Sequence, residues 1–234
     1  METTNNIVIQ KDIEKYYMFE KNYWNYFLEL EEQFLATKRY VAFDVANYST
    51  YSMEFLKLLQ AVCSEIDVVG KEIAHQINPH FELNESNISI KKWWFIIQDW
   101  YIADGTESVM ILDEFEFSPW SGFRIEQHVN KKGALTLRLT ENSKTPNWWT
   151  SYNKVKHRRA LSDPDTNEQY FHRANLMNLF NAFSALYLIE KKYMKSVGQA
   201  REYKRCRKSK LFEKEKPHFF IDDEGYICSC FEED

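Results

Sequence analysis

Residues 168–195 read EQYFHRANLMNLFNAFSALYLIEKKYMK, and this stretch decides the fold class. Phe171, Leu176, Leu179, Phe180, Phe183, Leu186, Tyr187 and Tyr193 recur at helical spacing. An α-helix turns once in about 3.6 residues, so that period gathers them on one side. Ala174, Asn178, Ala182 and Ala185 make an adjacent stripe of small residues that lets a second helix approach closely. The spacing predicts one continuous helix over 168–195.

Upstream, residues 147–160 predict a short helix, joined to the long one by a loop around Pro164. At the other end, Tyr16, Phe19, Tyr23, Tyr26, Phe27, Leu30 and Phe34 predict a helix over 11–39. Ser52 is a natural cap for the next helix, whose stripe is Phe55, Leu58, Leu59, Val62, Ile66 and Val69, and Asn78–Pro79 ends it. Between Phe81 and Pro146 the runs Trp93–Ile97, Val109–Leu112, Phe115–Phe117 and Ala134–Leu139 favour short strands, with a helical turn around Trp93–Trp100. Residues 196–216 are basic and read as a fraying helix extension. Phe219–Ile221 and Tyr226–Cys228 flank Asp223–Gly225 as a hairpin.

The expected organisation is one domain. It has an N-terminal helix pair (11–80), an insertion with short strands (81–146), C-terminal helices (147–216) and a hairpin tail (217–234). The expected fold class is mainly α: an antiparallel bundle of four to five helices with a small α/β insertion and a short C-terminal β-hairpin.

Composition excludes several function classes. With 44% hydrophobic and 16% aromatic residues the chain has ample material for a core. Only 6 Gly and 5 Pro disfavour an all-β fold, and no glycine-rich phosphate loop occurs. The first thirty residues hold no apolar core of an export signal, and no apolar run approaches the ~20 residues that span a bilayer. Four cysteines are too few for a disulfide scaffold. A cytoplasmic protein without membrane contact is expected. Residues 151–216 carry 16 Lys+Arg against 7 Asp+Glu, while the rest carries 14 against 28. The basic segment is either an anion-facing surface or is neutralised by acids such as Asp222, Asp223, Glu224, Glu232, Glu233 and Asp234.

The most distinctive segment is Trp148-Trp149-Thr150-Ser151-Tyr152-Asn153-Lys154-Val155-Lys156-His157-Arg158-Arg159. On a helix, Asn153 and His157 share a face, with Tyr152 and Lys156 as a second such pair. A histidine near its ordinary pKa moves protons at neutral pH, and an amide with cations holds a phosphate. Those parts suit attack of a ribose 2′-hydroxyl on its own phosphodiester, which needs no metal.

An Asn-x-x-x-His on a helix followed by a long helix such as Ala174–Ala182 resembles the HEPN superfamily. Tyr51-Ser52 and Ser64-Glu65-Ile66-Asp67 are compatible with that family's first helix pair, and the resemblance covers roughly 11–75 and 147–195. It implies an up-and-down helical bundle from a prokaryotic stress, toxin–antitoxin or phage-defence system, a homodimer, and in many members a metal-independent endoribonuclease without cofactor. On that basis His157 is the expected general acid/base, Asn153 orients the phosphate, and Lys156 and Arg158 stabilise charge. Tyr152, Glu65, Asp67 and Arg159 support them. The family signature is Arg-x(4–6)-His, and here Tyr152 stands where its arginine belongs. The expected alternative is therefore a non-catalytic HEPN-like module that dimerises or binds a partner; the expected partners are a second copy of the chain, RNA, or a protein encoded alongside.

Plainer roles stand beside these. His157 is equally a structural histidine tied to Glu65 or Asp67, at least one of which is expected to be buried. Trp120, Trp148 and Trp149 either fill a core or line a pocket for a small ligand or peptide. Cys206, His218, Cys228 and Cys230 could ligate zinc, but their spacing matches no zinc finger or knuckle, so no metal is expected.

Overall fold

A computed structural model describes residues 9, 11–81, 89–103, 108–199, 205–213, 218–221 and 227–230. The fold is mainly helical, with three antiparallel two-stranded hairpins. The first helical stretch comprises α1 (Ile13–Phe19), a π-helical turn (Glu20–Trp24) and α2 (Asn25–Ala36). Then come α3 (Met53–Ile77), α4 (Ile90–Ile102), β1 (Val109–Ile111), β2 (Phe115–Phe117), β3 (Ile125–Val129) and β4 (Leu135–Leu139). The chain continues with α5 (Asn147–Arg158), α6 (Leu176–Val197), β5 (His218–Ile221) and β6 (Ile227–Cys230).

Polar caps set the helix starts. Asp12 accepts from the backbone N–H groups of Glu14 and Lys15, Ser52 Oγ from that of Phe55 at 3.0 Å, and Asn175 Oδ1 from that of Asn178 at 3.0 Å. Asn78 ends α3, as its Asn–Pro pair predicts.

The α6 helix starts later than its apolar period predicts. Over 168–175 the backbone donors are spent elsewhere: Tyr170 N–H donates to Leu161 O at 2.9 Å and Phe171 N–H to Arg159 O at 3.2 Å. Tyr170–Arg173 is a 3₁₀ turn, and the Asn175 cap then sets the boundary.

The two long helices α3 and α6 start side by side. Tyr51 and Asn175 form an antiparallel bridge, Leu176 N–H donates to Thr50 O at 3.0 Å, and Met177 N–H to Tyr48 O at 3.1 Å. Glu65 still faces Glu190 further along, so the helices run parallel. The α1–α2 stretch runs the other way along α6. Asp12 N–H donates to Val197 O at 2.9 Å, Phe19 packs on Tyr193 with ring centroids 4.4 Å apart, and Phe34 stacks on Phe183 at 4.8 Å. The neighbours of α6 are thus not all antiparallel. The long connection between α3 and α6 frees them from the geometry of a helical hairpin.

The 81–146 stretch departs most from expectation. Its Trp-rich run is a helix of 13 residues, burying Ile90, Trp93, Trp94, Ile97, Gln98, Trp100 and Tyr101. Gln98 stands in for a strand: its side-chain amide donates to Ile125 O at 2.8 Å and accepts from Ile125 N–H at 3.0 Å. That anchors β3, a strand the β-prone runs did not predict. Trp93 lies flat against α3, where a Cβ on Gly70 would meet its ring at 2.7 Å.

Residues 205–213 are docked rather than fraying. Glu31 accepts from Ser209 Oγ, from Lys210 N–H at 2.9 Å and from Leu211 N–H at 3.1 Å, while Trp24 Nε1–H donates to Arg207 O at 2.9 Å. The β5–β6 hairpin pairs His218 with Cys230 and Ile221 with Ile227. Its turn, with Asp223–Gly225, and the acidic residues Asp222, Glu224 and Glu232–Asp234 lie outside the described residues.

Candidate functional site

Helix α5 packs on α3 and α6 through Trp148, Trp149, Ser151, Tyr152 and Val155. Its outer face and last turn present Lys156, His157 and Arg158 to solvent, followed by exposed Arg159. Cations suit a helix C-terminus, where they complement the helix dipole. Asn153 is half-buried and its amide donates back to Trp149 O at 3.1 Å. Lys156 Nζ donates to Tyr152 Oη at 3.2 Å and lies over that ring. His157 makes no hydrogen bond or ion pair with any described residue.

The carboxylates expected beneath His157 are engaged elsewhere. Asp67 accepts from Trp93 Nε1–H at 3.0 Å and pairs with Lys71 at 2.5 Å. Glu65 is buried, and burial pushes its carboxyl up to about 7. It faces α6, where Glu190 is 0% exposed and neither carboxylate oxygen has a hydrogen-bond partner among the described residues. Burial, and then the charge of Glu65, push Glu190 well above the usual carboxylate range. Tyr23 lies beside the pair and is raised by burial, then by Glu72, Glu65 and Glu190. The outer face of α5 and this acid pair are therefore two places, not one site.

Tyr152 is 5% exposed and packs against Trp149 at 5.2 Å between ring centroids. The three tryptophans named for a pocket are core. Trp120 Nε1–H donates to Ala185 O at 3.2 Å, Trp148 Nε1–H to Pro119 O at 2.9 Å, and Trp149 is buried against Trp148. The indole donors of Trp120 and Trp148 find backbone acceptors inside the core, the usual solution for buried tryptophan.

A cavity of about 320 Å³ lies between the first turns of α5, the 163–169 loop and the start of α6. Arg173 pairs with Asp163 at 2.5 Å across it, and His172 stacks on Tyr51 at 4.1 Å between centroids. The Asp163 carboxyl is held below its usual range by the Asp165 backbone N–H and then by Arg173. Sequence reasoning passed over these residues, because a loop of Asp, Thr, Asn and Gln carries no short motif.

No group of three or more His, Cys, Asp and Glu side chains among the described residues could hold a metal. Cys206 is buried beside Lys191, and the side chains of His218, Cys228 and Cys230 lie outside the description. No helix among the described residues is long and apolar enough to cross a membrane. No protein-family model, curated protein or solved structure matches the chain.

Proposed function

We propose that this chain is a HEPN-like helical module of a prokaryotic stress or phage-defence system that works by binding a protein partner rather than by cleaving RNA. The observation that carries this reading is the placement of Tyr152. The family's arginine must reach a phosphate, yet the equivalent position here faces the core beneath Trp149. An arginine there would bury a guanidinium without a carboxylate, at a cost of several kcal/mol.

The rest of the expected machinery is dispersed in the same way. Asn153 is tied to its own helix, and His157 pairs with no carboxylate among the described residues. What remains is a cationic outer face on α5, suited to an acidic surface on a protein partner or on a second copy of the chain.

The test is incubation of the purified chain with total RNA and tRNA in EDTA, beside His157→Ala. A binding module leaves the RNA intact in both samples. Cleavage that leaves 2′,3′-cyclic phosphate ends and disappears in His157→Ala would restore the endoribonuclease reading.

A further inference from the structure

The cavity between α5 and α6 lies at the first turns of α5, whereas His157 lies in the last. Ser151 and His157 are six residues apart, so about 120° of helix also separates the directions in which they project. Ser151 lines the cavity with its side chain 4% exposed, and its hydroxyl makes no hydrogen bond to any described residue. A helical serine can satisfy itself on the carbonyl four residues back. Here the hydroxyl makes no such bond and is left uncommitted on the cavity wall.

Charge and donor use decide which ligand class fits. A helix N-terminus over a cavity ordinarily favours an anion, but that of α6 is spent. Leu176 and Met177 N–H donate to Thr50 O and Tyr48 O, Asn178 N–H to Asn175 Oδ1 and Leu179 N–H to Asn175 O. Arg173 is engaged by Asp163, and Glu168 adds a second carboxylate to the lining. Lys154 also acts on Asp163, so two cations balance the two carboxylates and no net charge is left to hold an anion. An apolar ligand fares no better, since Met177 is the one aliphatic side chain in the lining.

A neutral hydroxylated ligand meets the remaining chemistry. Each hydroxyl of a vicinal diol both donates and accepts, and a side-chain amide offers both functions in return. Asn147 and Gln169 line the cavity with their amides uncommitted, and Asn178 donates to Arg173 O at 2.8 Å while keeping its carbonyl oxygen. His172, covered on one face by Tyr51, supplies a flat wall for the C–H face of a sugar ring.

We infer that this cavity binds an uncharged vicinal diol, carried by a neutral sugar or by the ribose of a nucleoside, with Ser151 and Gln169 as hydrogen-bonding residues. The test is a titration of the ¹⁵N-labelled full chain, followed by amide chemical shifts. The probes are glucose, mannose, galactose, adenosine, 2′-deoxyadenosine and inorganic phosphate.

Shifts confined to 147–151 and 163–178 with at least one hexose, or with adenosine but not 2′-deoxyadenosine, are expected, and they identify the source of the diol. Ser151→Ala and Gln169→Ala should each weaken that binding about fivefold, one neutral hydrogen bond's worth, with melting unchanged. The proposal is overturned if no diol shifts these signals, if phosphate or 2′-deoxyadenosine shifts them as strongly as the diols, or if both variants bind like the parent.

Discussion

The outer face of α5 and the middle of α6 treat charge in opposite ways. On α5, Lys156, His157, Arg158 and Arg159 stand in solvent, and their charges interact weakly with the rest of the molecule. On α6, Glu190 sits fully buried opposite Glu65, so its charged form lacks water and has no hydrogen-bond partner among the described residues. The first region draws attention in the sequence and adds little to stability. The second passes unnoticed in the string Leu188-Ile189-Glu190-Lys191 and makes the fold sensitive to pH. A conspicuous motif and a costly residue are different things.

That contrast can be broken by mutation, most strongly in the core next to α5. Trp120→Ala removes a buried indole that touches Trp94 and Trp148 and donates to Ala185 O. It should lower stability by about 4 kcal/mol in urea unfolding; a loss below about 1 kcal/mol would mean that this layer is loosely packed.

The acid pair predicts the next largest effect. The Glu65 carboxyl moves from 4.5 to about 7 on folding, so the folded state keeps a proton that the unfolded chain releases. Stability from Glu65 is fully present below pH 4.5 and is lost as pH rises to about 7, with Glu190 extending the loss upward. The loss from Glu65 alone is roughly 3 kcal/mol. Urea unfolding across that range checks it, and a flat profile would require an unseen partner for the pair. Glu190→Gln removes one of the two acids and should stabilise the chain at pH 8 by about 2 kcal/mol, with a smaller gain at pH 5.

Gly70→Ala sharpens the comparison from the helix-packing side. The added methyl meets the Trp93 ring, and a loss of about 1.5 kcal/mol in thermal or urea unfolding is expected. The smallest effect belongs to the most conspicuous residue: His157→Ala should change stability by less than about 0.5 kcal/mol. A larger loss would show that the α5 face has a structural partner after all.

The mainly helical fold was legible because α3 and α6 carry sustained apolar stripes, and Ser52 and Asn78–Pro79 mark real boundaries. The burial of one of Glu65 and Asp67 followed from their apolar setting in α3, and the structure buries Glu65. Of helix α4 only a turn around Trp93–Trp100 was legible, since Trp93–Ile97 is apolar without a gap and fits a strand equally well until Asp67, Phe123 and Ile125 accept its side-chain hydrogen bonds. The face shared by Asn153 and His157 was correctly placed on a helix, but spacing alone cannot say that Tyr152 turns inward or that no carboxylate stands opposite. The cavity was invisible for a third reason: its wall is assembled from α5, a loop and the start of α6, and that start is in turn tied to α3 by the Tyr51–Asn175 bridge.

That bridge also bears on how the chain is made. The apolar side of α3 emerges from the ribosome early, whereas its parallel neighbour α6 follows only after the insertion and α5. At ~5–20 residues per second the wait is on the order of ten seconds. During it α3 has α1–α2, then α4 and last α5 to shelter against but lacks its largest neighbour, so nascent chains halted before Asn175 should be rich in chaperone contacts that vanish once α6 is released. Crosslinking of stalled chains would reveal this, and equal chaperone occupancy before and after α6 would show that α3 is already covered.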